Sequence, residues 1–141
     1  MRVVIDSSVV VAALTTPNPE SASRVVLTAV AAGVVELVVT DELEAEYRRA
    51  VEYPQVRRYA ARMDRRRFVD AIVAAAERVE AGSAAGAVPA DPGDDMVVAA
   101  AVAGRAAFVV TLDRHLLALD GPPGIQIERP GDFLRELRMQ N

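Results

Sequence analysis

The clearest structural signal in the chain is the segment Val3-Val4-Ile5-Asp6-Ser7-Ser8. Its first three residues form a β-branched run without polar alternation, which is typical of a strand buried on both faces. An acid and two hydroxyl residues follow at once. Similar apolar runs recur at residues 35–40 and 108–111, and a weaker one lies at 125–127. The pattern therefore predicts a buried strand that ends directly at Asp6, with further strands along the chain.

Helical patterns lie between these runs, at residues 8–14, 21–32, 41–51, 64–79 and 94–103. Strands that alternate with helices indicate an α/β protein whose parallel sheet is covered on both faces. The chain has 141 residues, contains no internal repeat and shows no linker that would divide it. We expect one domain over residues 1–141, with three α/β/α layers and about four or five parallel strands.

Composition limits the chemistry that the chain can carry. It has no Cys and a single His, His115, and all 16 of its basic residues are Arg. Disulfides, thiolate nucleophiles, Cys-based zinc sites and His-rich metal sites are therefore excluded. Without Lys there is also no Walker-type phosphate loop and no Schiff base. Any chemistry must come from carboxylates, hydroxyls, Arg or a bound ion, and we assign His115 no role beyond local hydrogen bonding.

The overall charge is wrong for a nucleic-acid binder, because the net charge is −4 and the sequence pI is about 5.0. Such a partner would need a local basic patch. The stretch 57–67 provides one candidate, since it holds six Arg and only one acid. An exposed helix surface or a protein contact would explain it equally well. The candidate RNA-binding residues are Arg57, Arg58, Arg62, Arg65, Arg66 and Arg67.

The sequence gives no sign of a membrane segment. Its longest uninterrupted apolar run, residues 96–103, is too short to span a bilayer. Asp6 interrupts the amino terminus before a signal-peptide core can form. We expect a soluble cytoplasmic protein without a membrane partner.

Acidic residues follow the predicted strands at the edge where open parallel sheets bind ligands. Asp6 follows the first strand, and Asp113 lies two residues beyond the third. Glu46 lies one to two turns into the helix after the second strand. Asp94 and Asp95 lie in the first turn of the helix before the third, where the helix dipole alone would favour them. We expect four acidic positions to meet at this edge, with Asp94 preferred over Asp95.

Simpler roles exist for each of these acids. Asp6 and Asp113 both stand where a helix cap is needed. Glu46 shares a helix stripe with Leu43 and Tyr47, yet it could be solvated and paired with Arg49. Together, however, carboxylates held close raise one another's pKa unless a cation neutralises them. Ligation by oxygen alone selects a hard ion such as Mg²⁺ or Mn²⁺.

Four motifs in order give the chain a resemblance to the PIN domain, a metal-dependent ribonuclease fold found in VapC-type toxins of toxin–antitoxin pairs. The motifs lie at residues 3–8, 40–46, 91–95 and 108–117, and the resemblance runs from residue 2 to about 135. It departs from the family pattern at Ser8 and at Asp95, where Asn is commoner, and this blurs the choice between Asp94 and Asp95. The implied metal ligands or metal-water ligands are Asp6, Glu46, Asp94 and Asp113, with Ser7, Ser8 and Thr111 as supporting hydroxyls.

The resemblance implies an endoribonuclease that depends on Mg²⁺ or Mn²⁺ and leaves a 5′-phosphate and a 3′-hydroxyl. Asp6 and Asp94 would hold the ion directly, and Glu46 and Asp113 would orient its waters. Family membership further implies the toxin of a type II pair, an antitoxin partner and a homodimer.

Other functions remain open at this stage. The main alternative is a catalytically inactive PIN-like binding or scaffold module whose acids only cap helices. A phosphoacceptor receiver domain would need a Lys, and a Rossmann-type nucleotide binder would need a Gly-rich turn after the first strand. The chain has neither.

Overall fold

The computed structural model describes residues 1–82 and 95–140, and its centre is a parallel β-sheet. Five strands pair in the order β3-β2-β1-β4-β5, and every pairing is parallel. Helices cover the sheet in a three-layer α/β/α arrangement, which confirms the expected fold class. The strands are β1 (Arg2–Ile5), β2 (Glu36–Val39), β3 (Glu77–Arg78), β4 (Phe108–Val110) and β5 (Gln126–Glu128).

Eight helices occur within the described ranges, and none of them has the length and apolar character needed to cross a membrane. Five correspond to predicted helical segments, whereas α4, α7 and α8 have no counterpart among them. The helices are α1 (Ser7–Thr15), α2 (Ala22–Ala31), α3 (Asp41–Ala50), α4 (Pro54–Arg57), α5 (Arg62–Ala75), α6 (Asp95–Ala103), α7 (Arg114–Leu117) and α8 (Pro130–Met139).

β1 is the central strand of the sheet and lies in the hydrophobic core. Val3, Val4 and Ile5 are fully buried, as their β-branched run predicts. The strand pairs with β2 on one side and with β4 on the other, where Ile5 lies opposite Val110. The Asp6 N–H continues this ladder by donating to Val110 O at 3.0 Å. The register therefore brings Asp6 beside Thr111 at the carboxyl edge of the sheet.

The predicted helix over residues 64–79 is wrong at its carboxyl end. α5 ends at Ala75, Ala76 is extended, and Glu77–Arg78 forms the fifth strand at the edge of the sheet. Two features outside the local sequence explain the change. The open side of β2 offers backbone partners, and Val79 N donates to Val39 O at 2.9 Å. Arg78 also forms ion pairs with Asp41 and Glu44 of α3.

Candidate active site

Asp6 stands at the junction between β1 and α1, and its side chain is only 4% exposed. It occupies the N-cap position of α1 but makes no side-chain capping hydrogen bond there. Its carboxylate instead accepts from two hydroxyls. Ser8 Oγ donates to Oδ2 at 2.6 Å, and Thr111 Oγ1 donates to the same oxygen at 2.8 Å. Capping alone therefore does not account for this acid.

We call Asp6, Ser8 and Thr111 the Asp6 cradle. The two hydroxyls in it also accept hydrogen bonds from the loop that follows β4. Leu112 N donates to Ser8 Oγ at 3.0 Å, and Asp113 N donates to Thr111 Oγ1 at 2.9 Å. Because each hydroxyl both donates and accepts, its orientation is set. The cradle thus ties the carboxyl ends of β1 and β4 together around one carboxylate.

The environment raises the pKa of Asp6 above its ordinary value. Burial is the main cause, and the nearby charge of Asp113 acts in the same direction. The hydroxyls of Ser8 and Thr111 oppose the rise because they stabilise the charged form. A bound cation would stabilise the charged form of a carboxylate that is buried close to a second acid.

Asp113 stands at the N-cap of the short helix α7, where its Oδ1 accepts from His115 N at 2.7 Å. The capping role that the sequence left open is therefore real for this residue. This cap does not exclude a second role, because the charge of Asp113 is close enough to raise the pKa of Asp6. His115 takes part in this cap through its backbone amide.

Glu46 has the local partner that the sequence left open. Its side chain is 22% exposed, and Arg49 Nη2 lies 2.8 Å from Glu46 Oε2. Its neighbours on the stripe, Leu43 and Tyr47, are fully buried. This ion pair engages Oε2 alone of the two carboxylate oxygens of Glu46.

The predicted meeting of four acids is only partly visible. Asp94 lies outside the described residues, whereas Asp95 is the half-buried first residue of α6. Ser7 opens α1 and is half-buried, and it is Ser8 whose hydroxyl reaches Asp6. Within residues 1–82 and 95–140 no group of three or more acids or histidines is placed to hold a metal. The described part of the chain thus brings together Asp6 and Asp113.

Tyr47 is a site residue that sequence reasoning missed. Its side chain is fully buried, and its hydroxyl donates to Ile5 O, the last carbonyl of β1 before Asp6. Burial raises the pKa of this phenol well above its ordinary value, and the charge of Asp6 adds to the rise. Tyr47 therefore stays neutral and fixes the backbone that positions Asp6. A Tyr in the buried stripe directly after Glu46 is the signal that could have indicated it.

Five of the six candidate RNA-binding arginines lie on the surface, and we call them the basic segment. They are Arg57, Arg58, Arg62, Arg66 and Arg67.

Arg65 does not belong to that surface, and its prediction as an exposed phosphate contact is wrong. Its side chain is buried, with Nη1 donating to Ala60 O at 2.7 Å and Nη2 pairing with Glu52 at 3.3 Å. The helix face on which Val69 packs also carries position 65 inward, four residues earlier. Arg65 therefore acts as a structural anchor for the turn before α5.

The oxygen atoms in this region are of the type that binds a hard divalent cation. Asp6, Asp113 and the two hydroxyls offer only oxygen, which Mg²⁺ and Mn²⁺ prefer. Two carboxylates are few for a stable site, so a further acid is needed. Asp94, directly before α6, is the candidate for it.

The comparisons with known proteins agree with the fold. A family model described as PIN domain matches residues 2–115, which is most of the chain and includes Asp6, Thr111 and Asp113. No curated protein matches the chain at a significant level. PIN domains are generally nucleases, typically use a divalent metal, and suggest RNA as the substrate. The strand order, the acid after β1 and the extent of the match place this chain in the PIN domain family.

Proposed function

We propose that the protein is a metal-dependent endoribonuclease that hydrolyses RNA phosphodiester bonds at the Asp6 edge of the sheet. The observation that carries the proposal is a carboxylate buried at the carboxyl end of the central strand and held there by two hydroxyls. A buried acid in that position is costly for stability and suits a role in binding or catalysis.

In this proposal Asp6 and Asp94 would hold Mg²⁺ or Mn²⁺ directly, and Glu46 and Asp113 would hold its water ligands. A bound divalent ion supplies an activated water and neutralises charge on the phosphate oxygens. Ser8 and Thr111 hold Oδ2 of Asp6 in one orientation, so that Oδ1 is the oxygen not used by these two hydroxyls. Tyr47 holds the preceding carbonyl, which limits movement of Asp6 along the strand.

The substrate must be attracted by a part of the surface other than the acidic edge. The basic segment offers five exposed guanidinium groups in a chain of net charge −4. Contacts with phosphates would make the affinity for RNA fall steeply with salt. We assign this segment the role of an initial RNA contact.

Cleavage of RNA by the purified protein, with and without Mn²⁺, tests the proposal. We expect cleavage only with the ion, and a loss of at least 100-fold in Asp6→Asn. Asp120→Asn is the matched control, because Asp120 is an exposed acid in the loop before β5. Cleavage by Asp6→Asn at the rate of the unaltered protein would exclude the proposed site.

A scaffold role is the second candidate, and two observations favour it. Glu46 is paired with Arg49, and Asp113 caps α7, so both acids have structural partners. Such a module would bind no divalent ion. Calorimetric titration with Mn²⁺ separates the two functions, because heat of binding that disappears in Asp6→Asn is expected only for the nuclease.

The biological setting that we propose follows the family resemblance: a type II toxin that acts in the cytoplasm, forms a homodimer and is held inactive by a separate antitoxin. Expression with and without a small DNA-binding protein encoded directly upstream tests this role. We expect growth arrest only when that protein is absent. Expression of Asp6→Asn alone should not arrest growth.

A further inference from the structure

We propose that Glu128 is a positioning residue whose charge regulates how firmly the Asp6 cradle is held. Its effect on cleavage rests on the proposed function, whereas its effect on the structure can be measured without any cleavage. Glu128 is the last residue of β5, and it stands at the same carboxyl edge of the sheet as Asp6. The proposed reaction gives it no other role.

The backbone of Glu128 is joined to the cradle through Thr111. Thr111 N donates to Glu128 O at 2.9 Å. The hydroxyl of Thr111 donates to Asp6 Oδ2 at 2.8 Å and accepts from Asp113 N at 2.9 Å. A displacement of β5 at Glu128 would therefore loosen the residue that orients the Asp6 carboxylate.

The side chain of Glu128 lies on the face of the sheet that α8 covers. Glu128 is paired with Val110, which lies two residues after Phe108, so these three side chains share one face. Phe108 packs edge to face against Phe133 of α8, with ring centroids 5.3 Å apart. Glu128 thus occupies a position that normally holds an apolar residue in a sheet covered by helices.

One oxygen of the Glu128 carboxylate is buried without compensation. Oε2 is shielded from solvent, and no residue in the described ranges donates a hydrogen bond to it. A charged oxygen in such a place is unfavourable, and the protonated carboxyl is tolerated better. The residue as a whole is half-buried, so it can exchange protons with the solvent.

The charges that α8 presents to Glu128 are mainly negative. Asp132 and Glu136 lie four residues apart on one side of α8, and Arg135 is paired with Asp132. Burial is the main cause that raises the pKa of Glu128 above its ordinary value of 4.5. Glu136 and Asp132 add to the rise, and Arg135 opposes it.

The other elements packed on β5 do not offset these charges. β4 consists of Phe108–Val110 and carries no charged residue. The short helix α7 carries Arg114 and His115, and neither is among the groups that shift the pKa of Glu128. The side chain of Glu128 therefore has like charges on α8 and no dedicated cation.

The direction of the regulation follows from the raised pKa. At a pH above that pKa, Glu128 is ionised in the folded protein and weakens the packing of β5 against α8. As the pH falls through the raised pKa toward 4.5, the folded protein takes up the proton before the unfolded chain does, and the penalty is lost. The Asp6 cradle is therefore held more firmly in mild acid than at alkaline pH.

Thermal unfolding across this pH range measures the cost of the side chain. We expect Glu128→Gln to raise the melting temperature at pH 8 by about 2–4 °C. This difference should shrink as the pH falls toward 4.5. Glu136→Gln removes one like charge and leaves the buried oxygen in place, so it should give a smaller rise of the same sign. Glu20→Gln is the matched control, because Glu20 is an exposed acid before α2, and it should give no rise at either pH.

Hydrogen exchange at the Thr111 amide tests the link to the cradle, because this amide donates to Glu128 O. At pH 8 we expect exchange at Thr111 to be about 3-fold slower, or more, in Glu128→Gln than in the unaltered protein. The Val79 amide, which donates to Val39 O at the opposite edge of the sheet, is the internal control. Its exchange should be equal in the two proteins.

The outcomes separate this inference from the proposed function. Equal melting temperatures at pH 8, or a difference that does not change with pH, would overturn the inference. Stabilisation by Glu128→Gln without slower exchange at Thr111 would confine the effect to α8 and would overturn the positioning role. Both structural effects in a protein that cleaves no RNA would support the link from Glu128 to the cradle and exclude the nuclease.

In an active protein, the pH profile of cleavage with Mn²⁺ tests the regulation itself. The rate of Glu128→Gln divided by the rate of the unaltered protein should be highest at pH 8 and should fall as the pH is lowered to 6. A ratio that stays constant over this range would overturn the regulation and leave the nuclease intact.

Discussion

At the scale of single residues, the arrangement around Asp6 depends on a few buried polar atoms. One carboxylate oxygen serves two hydroxyls, and each hydroxyl also accepts from a backbone amide. Tyr47 adds a third support from α3 by donating to the carbonyl of Ile5. Buried hydrogen bonds of this kind contribute little net stability when intact but are costly when one partner is removed.

We predict that Tyr47→Phe lowers the free energy of unfolding by about 1–3 kcal/mol, because it leaves the buried Ile5 carbonyl without its donor. Urea unfolding at neutral pH measures the change. Tyr53→Phe removes a hydroxyl from a tyrosine that is 40% exposed and should change stability by less than about 0.5 kcal/mol. Equal stability of the two variants would show that the Tyr47 hydroxyl has no structural role.

At the scale of elements, the edge strand β3 shows how partners outside a segment set its conformation. Two residues pair with β2, and their side chains connect the edge to neighbouring elements. Arg78 reaches Asp41 and Glu44 of α3, and Arg2 of β1 reaches Glu77. These charges replace the apolar contacts that an exposed two-residue strand lacks.

We predict that the link between β3 and α3 weakens in acid. The guanidinium groups of Arg78 and Arg48 lower the pKa of Glu44 below its ordinary value of 4.5. The resulting stability is present above that value and is lost as the pH falls through the lowered pKa. Glu44→Gln should therefore cost about 1 kcal/mol or less at pH 7, and the difference from the unaltered protein should shrink below pH 4.5.

Thermal unfolding of Glu44→Gln and of the unaltered protein, at pH 7 and at a pH below 4.5, checks this dependence. Glu42→Gln is the matched control, since Glu42 is an exposed acid in the same helix turn. A difference between Glu44→Gln and the unaltered protein that is the same at both pH values would contradict the assigned ion pairs.

At the scale of the whole molecule, the acids of the candidate site and the arginines of the basic segment occupy separate regions. The carboxyl edge of the sheet carries Asp6 and Asp113, whereas the basic segment lies on α4, α5 and the turn between them. In the proposed nuclease, this separation would let a chain of net charge −4 attract a polyanion while it keeps an acidic site. The proposed nuclease depends on both regions.

We predict that Mn²⁺ stabilises the folded protein. An ion that binds only the native state at 100 times its dissociation constant adds about 2.7 kcal/mol, which raises the melting temperature by several degrees. Asp6→Asn should abolish the rise, and Asp120→Asn should retain it. A scaffold module predicts no rise in any of the three proteins.

The sequence by itself determined four of the five strands, the position of Asp6 and several helix starts. Val3 to Ile5 can be recognised as a buried strand because three consecutive β-branched residues leave no polar face. The acid that follows is placed at the carboxyl edge by chain direction alone. Asp113 could also be predicted as a helix cap, because capping depends only on residues two or three positions away.

Only the tertiary structure decided the roles of residues whose partners are remote in sequence. Helix spacing places Arg65 on the face of Val69, but its charge favours the surface, and only its partners, Glu52 and the Ala60 carbonyl, make its burial possible. β3 forms because β2 has an open edge, which no window around residue 77 contains. Likewise the cradle requires Thr111 to lie beside Asp6, a contact made by strand register across more than a hundred residues. Local sequence sets backbone preference and capping, whereas burial and pairing depend on which surfaces meet when the chain folds.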